Sequence, residues 1–123
     1  MVIGVLRKDV KVVKELKRTL PYPLLYAKAA ALDVVEAHSD DATVNKESWQ
    51  LIGTVQVYGN RSRISMEVAA ADADHSHLRI KMLTPAPNLS EDGQERALRF
   101  LADNMAQLLE NTLMNANAKE KAI

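Results

Sequence analysis

Two aspartates and two histidines crowd one short stretch of the chain: Asp72, Asp74, His75 and His77. Carboxylate oxygens and imidazole nitrogens are common ligands of divalent metals, so this is the densest ligating chemistry in the sequence. The spacing fits neither a zinc pattern nor the calcium-loop pattern. Aspartate beside small residues is what surface turns are made of. The four residues are therefore read as a turn, and neither a metal nor a cofactor is expected.

The remaining chemistry is sparser. Asp40-Asp41 and Glu91-Asp92 are paired carboxylates, but each pair falls at a helix end, where capping and solubility account for it. His38 falls at the C-terminal end of a predicted helix, where a cation complements the helix dipole. There is no glycine-rich phosphate loop and no nucleophile motif, so an enzyme is the less favoured reading. The five aromatics, Tyr22, Tyr26, Trp49, Tyr58 and Phe100, are too scattered to form a base-stacking platform. The formal net charge is zero, so there is no overall field for nucleic acid.

A different constellation points to apolar binding. Met66, Met82 and Met105 fall on predicted inner faces, and methionine adapts to irregular apolar shapes. Gly53 falls in the middle of the same face and is predicted to leave a gap opposite Met66. A closely packed helix would fill that gap, and so would a small apolar ligand. Gly53, Met66, Met82 and Met105 are the candidate ligand-binding set.

These residues need a sheet to position them. From Trp49 to Leu83 the hydrophobic pattern has a period of two, which predicts three consecutive strands. Trp49, Leu51, Val55 and Val57 share one face, and Gln50, Ile52, Thr54, Gln56 and Tyr58 share the other. Gly59-Asn60 is predicted as the two-residue loop of a hairpin, with glycine first. That turn pairs Val57 with Ser62, Val55 with Ile64, Gly53 with Met66, Leu51 with Val68 and Trp49 with Ala70. The second turn lies within Asp72–Ser76. It pairs Ala70 with Leu78, Val68 with Ile80, Met66 with Met82 and Glu67 with Lys81.

Helices flank the meander. Pro23–His38 carries the apolar stripe Leu24, Ala27, Ala31, Val34 and Val35, and the following Ser39-Asp40-Asp41 stops it. A short extended piece is predicted at Thr43-Val44. Ser90 is a predicted N-cap, and the helix after it carries Leu98, Leu101, Met105, Leu108 and Thr112, ending near Leu113. Residues 5–20 fit either an amphipathic helix or a strand. Pro21 biases Leu20 toward extended backbone, which favours an edge strand over residues 10–20. On its inner side, Lys14 and Arg18 interrupt the run of Val10, Val12, Leu16 and Leu20.

The 123 residues are read as one domain with a frayed tail at 115–123. The predicted class is α+β: a two-layer sandwich in the order β-α-β-β-β-α, its antiparallel sheet packed on two helices. With Leu20-Pro21-Tyr22-Pro23 leading into a helix, a meander turning at Gly59-Asn60 and a long helix from Ser90, the chain resembles the TBP-like and helix-grip group of folds. That group includes small hydrophobic-ligand binders similar to the Bet v 1 and START families. The resemblance implies a ligand between sheet and C-terminal helix, and carries over no functional residue.

Two functions follow as expectations. One is a small domain that binds an apolar molecule under its last helix. The other is a non-catalytic homodimeric interaction module, using Ile52, Tyr58 and Leu83 as an outer-face patch. No cysteine, no membrane span and an apolar start too short for a signal peptide suit a cytoplasmic protein.

Overall fold

The computed structural model describes residues 14–122, with side chains through Thr112. The elements follow in the order β1 (Glu15–Leu20), α1 (Leu24–His38), β2 (Thr43–Asn45), β3 (Gln50–Val57), β4 (Asn60–Ala70), β5 (Ser76–Thr84) and α2 (Glu91–Ala122). The strands form one antiparallel sheet in the order β1-β5-β4-β3-β2. Both helices cover one face: α1 packs on β3 and β4, α2 on β1 and β5, and the helices touch each other. The arrangement is α+β, as the pattern predicts.

The core follows from the period-two alternation. Leu51, Val55 and Val57 of β3, Ile64, Met66 and Val68 of β4, and Leu78, Ile80 and Met82 of β5 are all buried. From the helices come Ala27, Ala30, Ala31, Val34 and Val35, then Leu98, Leu101, Met105 and Leu109. The small alanine face of α1 lets that helix lie close to the sheet. On α2 it is Leu109 rather than Leu108 that joins the buried row; Leu108 is exposed. The helix continues past Leu113 to Ala122.

The register differs from the predicted one by two residues in both hairpins. Val57 pairs with Asn60, Val55 with Ser62, Gly53 with Ile64 and Leu51 with Met66. The loop residues are Tyr58 and Gly59, at φ 52 and φ 80. Two positive φ values in a two-residue loop belong to the I′ turn, which matches the twist of the strands it joins. A tyrosine seldom takes the first such position, which is why the sequence pointed to Gly59-Asn60 instead. In the second hairpin Ala70 pairs with Ser76, Val68 with Leu78, Met66 with Ile80 and Glu67 with Arg79. Asp72 tightens that turn by accepting the Asp74 N–H at 2.8 Å, while the His75 carbonyl accepts from Ala71 and Asp72. Because both slips are even, the side chains within the strands keep their predicted faces, while Trp49 and Tyr58 fall outside β3. Val55 and Ile64 are both in the core.

β1 is the predicted edge strand, and residues 10–13 of the predicted span lie outside the described residues. The charges that interrupt its apolar face reach α2. Lys14 Nζ donates to Glu95 Oε1 at 3.0 Å, and Arg18 Nη1 to Asp103 Oδ1 at 2.9 Å. The hydrogen bond raises the Lys14 pKa and lowers that of Glu95. At the other edge Trp49 is not in the strand; it sits at φ 52, with the Lys28 amine 5.1 Å from its ring centre.

Candidate functional site

The β3–β4 hairpin and the first turns of α2 enclose a cavity of about 330 Å³, lined by Val55, Val57, Tyr58, Asn60, Ser62, Leu89, Gly93, Arg96 and Ala97. That is near the lower end of the size range of small-molecule sites. Val55, Val57 and Ala97 are buried and supply the apolar wall. Tyr58, Asn60 and Arg96 are exposed and stand at the mouth.

Local chemistry builds each wall. The bulky residue in the I′ turn, Tyr58, leans toward α2, its ring centre 5.3 Å from that of Phe100. Ser62 is buried, and its Oγ accepts the Ala86 N–H at 2.9 Å. This bond ties the Pro85–Asn88 connector to β4 and so fixes where α2 begins. Ser90 caps α2 as predicted, its Oγ accepting the Gly93 N–H at 3.0 Å. A Cβ on Gly93 would stand 2.6 Å from Leu89 Cδ1. The glycine thus lets Leu89 fold back on the helix and form a cavity wall.

A second hollow of about 390 Å³ adjoins it, sharing Tyr58 and Arg96 and adding Arg99, Phe100, Asp103, Asn104 and Gln107. A third, about 580 Å³, lies on the opposite sheet face among Lys17, Thr19, Glu67, His77 and Arg79. Its central charges are engaged with neighbours: Arg79 lies 3.2 Å from Glu15, and Gln50 donates to Glu67 at 3.5 Å.

The predicted ligand-binding residues fall elsewhere. Met66, Met82 and Met105 are buried in the packed core and line none of these three hollows. Gly53 lies opposite Ile64 rather than Met66, because of the register slip. The predicted gap beside it is filled by the α1–β2 loop: a Cβ there would stand 2.9 Å from Ser39 Oγ and 3.1 Å from Ala42 Cα. No feature of the sequence singled out Ser62, Leu89 or Arg96. The Gly93 position inside a helix start was the one available signal, since glycine there costs helix stability without a packing reason.

The predicted turn chemistry is likewise located. Asp72 Oδ1 lies 2.8 Å from His75 Nδ1, and the hydrogen bonds from His75 and the Asp74 amide lower the Asp72 pKa. His77 Nδ1 is 3.3 Å from Thr19 Oγ1. Among the described residues, no three His, Cys, Asp or Glu side chains come together as a metal site. His38 packs edge-on against Phe100, ring centres 5.3 Å apart. Of the predicted outer-face patch, Ile52 and Leu83 are separated by β4, and Tyr58 turns toward α2. No described helix is long and apolar enough to cross a membrane.

No protein-family model matches the sequence, and no curated protein does. Solved structures do match the fold. The chain is similar to the di-domain ARO/CYC StfQ from the steffimycin biosynthetic pathway, with 10% identity and a TM-score of 0.62 over 82% of this chain and 46% of that one. It therefore spans about half of that di-domain protein. It is also similar to a START superfamily protein from Mycobacterium smegmatis, with 9% identity and a TM-score of 0.50 over 81% of this chain and 98% of that one. A sheet gripping a long C-terminal helix, with these neighbours, is the helix-grip architecture.

Proposed function

We propose that this chain binds a small, mainly apolar molecule in the cavity between the β3–β4 hairpin and the start of α2. The observation that carries the reading is the cavity itself: about 330 Å³ beneath the long helix, with Val55, Val57, Leu89 and Ala97 as walls and a few polar groups at its rim. An apolar enclosure with sparse polar groups is the usual make-up of a small-molecule site. The fold supports the reading by analogy alone, since the chain is similar in architecture to a START superfamily protein. Met66, Met82 and Met105 belong to the same apolar cluster as Val55, Val57 and Ala97. In this reading they are an adaptable backing rather than direct contacts.

The test is titration with N-phenyl-1-naphthylamine, a neutral dye that fluoresces in apolar surroundings. Saturable enhancement is expected in the native protein and its loss in Ala97→Leu, whose side chain would enter the cavity. Mass spectrometry of the protein as purified would detect a retained lipid-like molecule. No saturable dye binding, or equal binding by Ala97→Leu, would refute the reading.

A further inference from the structure

We infer that the molecule taken by this cavity ends in an oxyanion, such as a carboxylate or sulfonate, held by Ser62 and Arg96. The inference rests on the apolar-ligand reading and names the chemical class of that ligand.

Two observations carry it. The first is Ser62, which is 3% exposed and lines the cavity. Its oxygen is already an acceptor for the Ala86 N–H, so what remains to it is a hydroxyl hydrogen. Among the described residues no acceptor for that hydrogen is seen, so it is available to a group inside the cavity. The second is the distribution of arginines. Arg18, Arg61, Arg63 and Arg79 each stand within 4 Å of a carboxylate. Arg96 and Arg99 are the described arginines that do not, and both line the hollow beside Tyr58. Arg96 also lines the apolar cavity. The one acid along either hollow, Asp103, is engaged by Arg18 at 2.9 Å. An apolar chamber whose buried hydroxyl has a hydrogen to donate, and whose mouth carries a guanidinium with no carboxylate within 4 Å among the described residues, disfavours a cationic amphiphile. It suits an anionic one, since guanidinium meets planar oxyanions through paired N–H bonds.

Tyr58 marks the same mouth. It is 69% exposed and held at φ 52. Strained backbone at a bulky residue is more often kept where it serves a site than in an idle turn.

The test compares probes that share an apolar body and differ in charge. 1-Anilinonaphthalene-8-sulfonate is set against neutral N-phenyl-1-naphthylamine, and dodecanoate against dodecanol as displacers. The anionic partner of each pair is expected to bind about tenfold more tightly. Arg96→Gln should erase that advantage, weakening the anionic probe of each pair about tenfold more than its neutral partner, and Ser62→Ala should reduce it. Lys81→Gln, on the opposite sheet face, should change neither. Equal affinity for neutral and anionic probes, unaffected by Arg96→Gln, overturns the oxyanion assignment and leaves the apolar reading intact. Sulfonate binding that survives Ala97→Leu also overturns it, because the anion is then held outside the cavity. Failure of both neutral and anionic probes to bind overturns the apolar reading and this inference together.

Discussion

Asp41 Oδ1 accepts the Thr54 N–H at 2.7 Å, at the place where the β2–β3 ladder would continue if β2 were longer. The ladder pairs Thr43 with Ile52, so two residues further out the partners would be Asp41 and Thr54. A carboxylate stands in for the missing strand carbonyl. Ser39 Oγ donates to the same carboxylate oxygen at 2.9 Å. Together with Arg63 nearby, these bonds lower the Asp41 pKa from 3.8 to about 2, the Thr54 amide contributing most.

A pH dependence follows. A depressed carboxylate pKa means that the unfolded chain takes up the proton first as pH falls. The stabilisation is present above the unfolded value of 3.8 and disappears as pH falls through about 2. Asp41→Asn should therefore lower the thermal midpoint at neutral pH, and its deficit should shrink toward zero as pH falls through that window. A deficit that is constant with pH would show that the charge on Asp41 is not what holds β3.

Gly53→Ala should destabilise the fold. The new Cβ would meet Ala42 Cα at 3.1 Å, and that is backbone of the loop Asp41 pins to β3. Overpacking of this kind typically costs about 1–3 kcal/mol. Urea unfolding would measure it. No shift in midpoint would mean that the loop relaxes without loss.

Ser76 makes the opposite case. It is fully buried on the inner face at the start of β5, and among the described residues its hydroxyl has no partner. Replacing an unsatisfied buried hydroxyl with alanine removes a desolvation penalty. Ser76→Ala should leave stability unchanged or raise it by up to about 1 kcal/mol in the same urea experiment. A clear loss would reveal a partner for that oxygen.

The layered fold was legible in the sequence because period two reports face, not register. Leu51, Val55, Met66 and Ile80 point inward whichever even slip the hairpins take. Register depends on turn residues, and there a tyrosine at positive φ defeated the usual preference for glycine in the first position. The edge strand was legible through Pro21, and Ser90 through its place before two acids. The candidate site was not legible. Its walls come from β3, β4, the proline connector and α2, and only tertiary contact brings Ser62, Leu89 and Arg96 around one space. The methionines drew attention as pocket formers, but their flexible side chains are used here to fill the core.

Gly93→Ala separates stability from binding. In a helix interior, alanine is favoured over glycine by about 1 kcal/mol, and at this third residue of α2 the gain is smaller. Against it stands the contact of the new Cβ with Leu89, 2.6 Å from Cδ1 and 3.3 Å from Cγ. Cδ1 is the tip of a flexible side chain, so Leu89 turns away while the Ser90 cap keeps its bond to the residue 93 amide. The fold should therefore change in stability by less than about 1 kcal/mol. The cavity, however, loses the position of a wall residue, and N-phenyl-1-naphthylamine should bind several-fold more weakly. Unchanged dye affinity with an intact fold would mean that Leu89 does not shape the binding space, and would move the site away from the start of α2.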